Sequence, residues 1–215
     1  MANNTVRRMY YKLFGRYMLS PLLSKEFDSE RRILDVGCGY SSSIRLIRKG
    51  SYAVGLDFYK PYLLKSKRAL IHDDYVLGDA RALPFKSDSF GCAVAIEVLE
   101  HLPKHEGSKM IVEMERCASK LILTTPNGFL PTYAGPDDNP DEKHLSGWSA
   151  NELKQLGFKV YGLGGFKWLW EIMSGRTTLR KPGRVFVLLA GISQLFVYRC
   201  PSLAFQLLCV KDLQK

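Results

Sequence analysis

The sequence lacks the marks of a secreted, zinc-binding or membrane-spanning chain. Among its 215 residues are five cysteines, at 38, 92, 117, 200 and 209, an odd number with no Cys-x-x-Cys spacing. Neither a disulfide framework nor a structural zinc site is expected, and a reducing cytoplasm is the default compartment. No secretory leader is read at the start, where Met1-Ala2-Asn3-Asn4-Thr5 is polar and runs into a basic segment. Val185–Tyr198 is the only membrane-like stretch. As a helix it would rise about 21 Å, short of the ~30 Å hydrocarbon core of a bilayer. Internal repeats and low-complexity tracts are also missing.

What is present fits one generous globular domain, with 46% hydrophobic and 24% charged residues. The net charge of +10 is unevenly placed. Residues 1–25 carry Arg7, Arg8, Lys12, Arg16 and Lys25 with no acid. Residues 166–200 carry six bases against Glu171 alone, a net +5, and the rest of the chain balances. Two basic segments outside the main body suggest an anionic partner, such as lipid headgroups, nucleic acid or phosphorylated glycans. A basic face that only aids solubility fits the same count.

The pattern along the chain alternates strand and helix. Val6, Met9, Tyr10, Leu13, Phe14, Tyr17 and Met18 form the stripe of an amphipathic helix. Strands are expected at Ile33–Val36, Tyr52–Leu56, Tyr75–Leu77, Cys92–Ile96, Leu121–Thr125, Gly157–Tyr161 and Ala204–Val210. Helices are expected at Tyr62–Ile71, Gly107–Cys117 and Trp148–Leu156, the last with Ser149 and Glu152 spaced as a capping box. Such alternation means an open, mostly parallel sheet covered on both faces. The long interval 163–203 holds Trp168, Trp170, a basic turn and the apolar run. It reads as a core-facing helix, an interfacial helix or a lid.

Chemistry concentrates around Asp35-Val36-Gly37-Cys38-Gly39, a buried strand turning into the helical pattern Ile44–Ile47. Glycines at 37 and 39 let the backbone turn sharply and approach a ligand, and the helix start offers unpaired amides. A bare turn with no ligand fits these residues too. The third glycine of a dinucleotide loop is missing, since position 42 is serine, and this disfavours a nicotinamide-dependent dehydrogenase. Asp57 closes the second strand, where an acid can accept both hydroxyls of a ribose. Asp79, in Gly78-Asp79-Ala80, closes the third, where a carboxylate and the next amide can read an adenine edge. Each acid alone is an ordinary loop residue, but together they outline an adenosine along the sheet edge.

These elements, with Leu83-Pro84-Phe85-x-x-x-Ser89-Phe90 and Ile96-Glu97-Val98-Leu99-Glu100-His101-Leu102, resemble the class I S-adenosylmethionine-dependent methyltransferases. The similarity is closest to the small-molecule type 11 subgroup and covers roughly residues 30–162. It departs in having Ser41 where a third small glycine is usual, and in the bulky Tyr40. The resemblance implies a Rossmann-like doubly wound sheet of seven strands, mostly parallel with the last antiparallel, and S-adenosylmethionine as methyl donor. It also implies a cofactor set of Asp35, Gly37, Gly39, Asp57, Phe58, Asp79, Ala80 and Glu97. In that set the glycines face the amino-acid end, Asp57 the ribose, and Phe58, Asp79 and Ala80 the adenine. Glu97 and Leu99 would sit beside the transferred methyl.

In-line methyl transfer asks mainly for alignment, and a hydroxyl acceptor asks for a base as well. His101 and His144, supported by Glu100, are the candidates. Glu97, Glu100, His101 and His144 also resemble the Mg²⁺-binding set of the small-RNA terminal 2′-O-methyltransferases and the ubiquinone-pathway O-methyltransferases. Many relatives with the same glutamates bind no metal, so the metal stays an alternative. A membrane-peripheral module without catalysis is a further alternative, which the three retained acids argue against. The expected organisation is a single domain. Its parts are an N-terminal helical cap (1–29), a cofactor-binding core (30–162), a helical insertion facing substrate or membrane (163–203) and the last strand (204–215). The acceptor is left open as apolar, anionic or lipid-linked. An anionic membrane surface is a candidate partner and nucleic acid a weaker one, in a cytoplasmic, peripherally membrane-associated enzyme. Oligomeric state is not legible.

Overall fold

The computed structural model describes residues 32–48, 50–131, 142–173, 176–179 and 183–213. The helix expected within 1–29 and most of the loop 129–143 lie outside the described residues.

Nine strands are present among the described residues. They are β1 (Arg32–Val36), β2 (Tyr52–Asp57), β3 (Asp74–Leu77), β4 (Phe90–Ile96), β5 (Ala118–Pro126), β6 (Lys159–Phe166), β7 (Trp170–Met173), β8 (Arg176–Leu179) and β9 (Ala204–Asp212). Seven of them form one sheet in the order β3-β2-β1-β4-β5-β9-β6. All pairings from β3 to β5 are parallel, while β9 runs antiparallel to both β5 and β6. The last strand is thus the sheet's only reversed member, as expected. The chain progresses outward from β1 in one direction and from β4 in the other. Their carboxyl ends therefore splay into a crevice, the usual ligand site of an open α/β sheet.

The apolar runs account for this burial. In β4, Cys92, Ala93, Val94 and Ala95 are each inaccessible, because helices cover both faces. Alternate residues of β1 and β4 feed two cores: Leu34, Val36, Ala93 and Ala95 meet Met110 and Met114 on one side. Ile33, Cys92 and Val94 meet Ile44 and Ile71 on the other.

Among the described residues the α-helices are α1 (Ile44–Ile47), α2 (Lys60–Arg68), α3 (Lys104–Cys117), α4 (Ala150–Gln155) and α5 (Gly183–Val197). Two begin earlier than their apolar periodicity indicates, and proline is the reason. Pro61 sits in the first turn of α2, where its fixed φ is already helical, and Pro103 is the residue that caps α3. The Ser149–Glu152 capping box of α4 forms in full. The Ser149 hydroxyl accepts from the Glu152 amide at 3.3 Å, and the Glu152 carboxylate accepts from the Ser149 amide at 2.8 Å.

The interval 163–203 is more than a helix. β6 continues to Phe166, five residues past Tyr161, and β7 and β8 pair as an antiparallel hairpin before α5. Among the described residues no helix is long and apolar enough to cross a membrane.

Candidate active site

The crevice at the ends of β1, β2 and β4 opens into a cavity of about 790 Å³. Asp35, Gly37, Gly39, Asp57, Phe58, Asp79, Ala80, Glu97 and His101 all line it, so residues spread over 67 positions of sequence converge on one space.

The turn after β1 is shaped by two left-handed glycines, with φ of +66° at Gly37 and +55° at Gly39. Gly37 is also pressed from the other side, since a Cβ there would lie 2.7 Å from a Val98 methyl carbon. Between the glycines, the Cys38 amide donates to the Leu56 carbonyl at 3.0 Å. Burial, then the charges of Asp35 and Asp57, push the Cys38 thiol far up, so it stays protonated and is no nucleophile.

Asp57 is pinned by main-chain donors. One carboxylate oxygen accepts from the Gly39 amide at 2.7 Å and the other from the Tyr59 amide at 2.8 Å. Burial raises its carboxyl above the ordinary value, and these two hydrogen bonds oppose the rise. Phe58 beside it is exposed, with its ring at the cavity wall.

Asp35 plays a different part. It is 1% exposed and its Oδ2 accepts from Ser42 Oγ at 2.5 Å and from His72 Nε2 at 2.8 Å. His72 is itself buried against Gly55, where a Cβ would lie 2.8 Å from its ring nitrogen. The acid before the glycine turn is thus tied into the sheet by a partner 37 residues away.

Asp79 stands at the rim and is gripped by Arg81. The Arg81 amide donates to Oδ1 at 2.8 Å, Nε to both oxygens, and Nη2 to Oδ2 at 2.6 Å. Arg81 holds the Asp79 carboxyl below the usual range and reaches Glu106 as well. Both side chains are half-exposed, so the pair adds little stability.

On the β4 side, Glu97 adopts φ +55°, a costly conformation for a residue with a side chain. Its amide donates to the Thr124 carbonyl at 3.1 Å, and its Oε1 accepts from Thr124 Oγ1 at 3.0 Å and Gln206 Nε2 at 2.8 Å. The backbone strain and the two donors together aim this carboxylate.

Behind Glu97 lies Glu100, 1% exposed. Neither of its carboxyl oxygens, nor the Thr125 hydroxyl beside it, has a well-formed hydrogen bond among the described residues. Burial, then the charge of Glu97, raises the Glu100 carboxyl well above the ordinary value. The rings of His101 and His144 meet edge to face at 4.8 Å. His101 Nδ1 lies 3.3 Å from the Lys143 carbonyl and His144 Nδ1 2.6 Å from the Leu130 carbonyl. These contacts assign the proton of each ring to Nδ1 and direct Nε2 of His144 toward Glu100, 4.0 Å away. Burial lowers both imidazoles below the ordinary value, and His101 lowers His144 further. Ligand atoms of Glu100, His101 and His144 lie within 4.8 Å of one another, whereas Glu97 is outside this group.

Several lining residues were not singled out by the sequence. Tyr40 forms an edge contact with Tyr62 at 4.9 Å, and Lys65 sits over both rings. Only the bulk of Tyr40 hinted at this wall. Arg81, His72 and Gln206 gave no sequence signal, since each acts through a side chain whose direction no spacing reveals.

A doubly wound sheet with one reversed strand, and an acid at the end of each of its first three strands, is the arrangement of the class I S-adenosylmethionine-dependent methyltransferases. The family comparison agrees: residues 34–121 match the model described as methyltransferase domain. S-adenosylmethionine is the methyl donor of this enzyme class. No curated protein sequence matches the chain. Among solved structures, a S-adenosylmethionine-dependent methyltransferase from Methanosarcina mazei is 18% identical. It superposes with a TM-score of 0.60 over 91% of this chain and 99% of its own. One from Archaeoglobus fulgidus is 16% identical, with a TM-score of 0.55 over 96% and 99%. Magnesium protoporphyrin IX methyltransferase from Synechocystis, solved with bound S-adenosylmethionine, is 15% identical, with a TM-score of 0.51 over 99% and 86%. At these identities the likenesses establish the fold.

Proposed function

We propose that the chain transfers the methyl group of S-adenosylmethionine to an apolar or lipid-borne acceptor that meets the cofactor beside Glu97 and His101. The observation that carries this reading is the convergence of Gly37, Gly39, Asp57, Asp79 and Glu97 on one cavity. The turn 37–39 takes the amino-acid end of the cofactor and Asp57 the ribose hydroxyls. Phe58, Asp79 and Ala80 take the adenine, with Asp35 acting through Ser42 and His72 to keep the turn in place. Glu97, aimed by Thr124 and Gln206, serves the end that carries the methyl.

The sulfonium supplies an already activated methyl, so the protein's share is alignment. With a hydroxyl acceptor, the oxygen forms its bond to the methyl carbon as the carbon–sulfur bond breaks and its electron pair returns to sulfur. The hydroxyl proton passes to Nε2 of His101, whose Nδ1 proton faces the Lys143 carbonyl. Such base assistance is worth about 10²–10⁴-fold. Leu102, Pro103 and Leu145 give this side of the cavity an apolar lining, which suits an apolar acceptor.

A second reading rests on Glu100, His101 and His144. A buried carboxylate with unsatisfied oxygens and two imidazoles held through Nδ1 by backbone carbonyls would serve as a donor set for an ion. Two nitrogen donors suit zinc, manganese or iron(II) better than magnesium, which prefers oxygen. Such an ion would lower the pKa of the acceptor hydroxyl. Titration of Zn²⁺ and Mg²⁺ into wild type and Glu100→Gln decides it: unaltered heats in the variant, or none in either, remove this reading.

Isothermal titration with S-adenosylhomocysteine tests the main reading. Micromolar binding that Asp57→Ala weakens about 100-fold supports it, and no binding at millimolar ligand refutes it.

A further inference from the structure

Helix α5 is turned inside out. Ala190, Ser193, Gln194 and Val197 face the protein, and six large apolar residues face away from the described residues. Ser193 and Gln194 are 6% and 5% exposed. Ser193 Oγ accepts from the Phe166 amide at 3.1 Å, and Gln194 Oε1 from the Gly165 amide at 3.2 Å. Gln194 Nε2 donates to the Gly162 carbonyl at 2.9 Å. These bonds satisfy backbone groups of β6, the outermost strand of the sheet, which would otherwise be an open edge. Glycine makes the approach close enough. A Cβ at Gly162 would lie 2.2 Å from the Val197 carbonyl oxygen, and one at Gly165 would lie 2.7 Å from that of Ala190. Hydrogen bonds and close backbone contact therefore help to seat this helix, beside the buried Ala190 and Val197.

The outward stripe is Val185, Leu188, Leu189, Ile192, Leu195 and Phe196, each between 38% and 53% exposed. Steps of three and four residues place all six on one face. The stripe runs on through aromatic contacts: Phe196 lies 5.9 Å from Phe166, and Phe166 lies 6.2 Å from Trp168, itself 59% exposed. A contiguous apolar face of this extent is unfavourable in water and marks a contact surface. Fifteen residues span about 22 Å, too little to cross a bilayer but suited to lying along one.

Charge selects the occupant. Lys167 and Arg199 are exposed near the aromatic end of the stripe; in sequence, Arg180 and Lys181 precede the helix and Arg184 is its second residue. An apolar stripe bordered by bases, with a tryptophan at its margin, matches the headgroup zone of an anionic bilayer. A second copy of the chain would bring the same bases together and repel.

We propose that α5 docks the enzyme on an anionic membrane surface, its outward stripe inserted among the lipid chains and its bases among the headgroups. This rests on the methyltransferase reading only for its purpose, which is to bring the cavity to a lipid-borne acceptor.

Co-sedimentation of the full-length protein tests it, with vesicles of phosphatidylcholine alone and of phosphatidylcholine mixed with phosphatidylglycerol. Partitioning is expected to be at least about tenfold stronger on the anionic vesicles and to weaken with salt. The triple variant Leu188→Ser/Ile192→Ser/Leu195→Ser is expected to lose it by more than about tenfold. Its circular dichroism and its binding of S-adenosylhomocysteine should stay at the wild-type level. Three results would overturn the docking: a folded, S-adenosylhomocysteine-binding protein that ignores both vesicles, a triple variant that still binds them, or a dimer without vesicle binding that the triple variant dissolves. Vesicle binding without S-adenosylhomocysteine binding would uphold the docking and count against the methyltransferase reading alone.

Discussion

The Gly39 amide donates to Asp57 Oδ2 at 2.7 Å, so the turn after β1 is locked to the end of β2 by the carboxylate that faces the cavity. The Tyr59 amide holds the other oxygen at 2.8 Å. Asp57 is thereby set in orientation before any ligand arrives, and each oxygen keeps acceptor capacity for a hydroxyl. Removing the carboxylate strands two amides as well as the ligand. Asp57→Ala should therefore lower stability by about 2 kcal/mol in urea unfolding, and an unchanged midpoint would show that the two amides find other partners.

The two glycines of the turn differ in what they tolerate. Gly37→Ala brings a Cβ to 2.7 Å from Val98, whereas nothing lies within 4 Å of a Cβ on Gly39. Both substitutions carry the left-handed penalty of about 1–2 kcal/mol, but only Gly37→Ala adds a clash. Thermal unfolding should rank Gly37→Ala well below Gly39→Ala, and Val98→Ala should recover part of the deficit in the double variant. Equal losses for the two alanines would rule out the steric part.

Asp35 and His72 meet at 2.8 Å, both buried. His72→Ala leaves the acid with Ser42 alone and opens a cavity beside Gly55. Losing one partner of a buried pair costs about 3 kcal/mol, to be read from chemical denaturation. A loss under about 1 kcal/mol would mean that water replaces the ring.

Burial lowers the pKa of His101, and of His144, below 6.5. The fold favours their neutral forms, so their contribution to stability is present above pH 6.5 and is lost as pH falls through the lower folded values. A base at His101 therefore stays competent below pH 6.5. The acid limb of kcat/KM for a hydroxyl acceptor should lie under that value and vanish in His101→Gln, with a rate loss of about 10²-fold or more. An acid limb above pH 6.5, or one kept in the variant, would assign the proton transfer elsewhere.

Much of this was legible in the sequence, and what was not has a physical cause. Gly37, Gly39, Asp57 and Asp79 could be placed because each ends a run of alternating or continuous apolar residues, so backbone geometry alone brings them to one edge. His101 and His144 could be named as candidates, but their edge contact joins positions 43 apart and depends on the loop around Lys143. The Arg81 grip on Asp79 and the His72 tie to Asp35 depend on side-chain direction, which spacing does not encode. The starts of α2 and α3 were missed because apolar periodicity begins after the proline turn in each. For Val185–Tyr198 the helix was legible and its facing was not. Apolar residues on one side ordinarily mean a buried side, but Ser193 and Gln194 were needed at the β6 edge.

The most direct test is titration of S-adenosylhomocysteine into the wild-type protein and into Asp57→Ala, with NADH as a control ligand. A single micromolar site is expected in the wild type, about 100-fold weaker in Asp57→Ala, where hydrogen bonds from two ribose hydroxyls to a charged acceptor are lost. NADH should give no heat. Equal affinities in the two proteins, or no heat with S-adenosylhomocysteine at millimolar concentration, would contradict a cofactor site built on the glycine turn and Asp57.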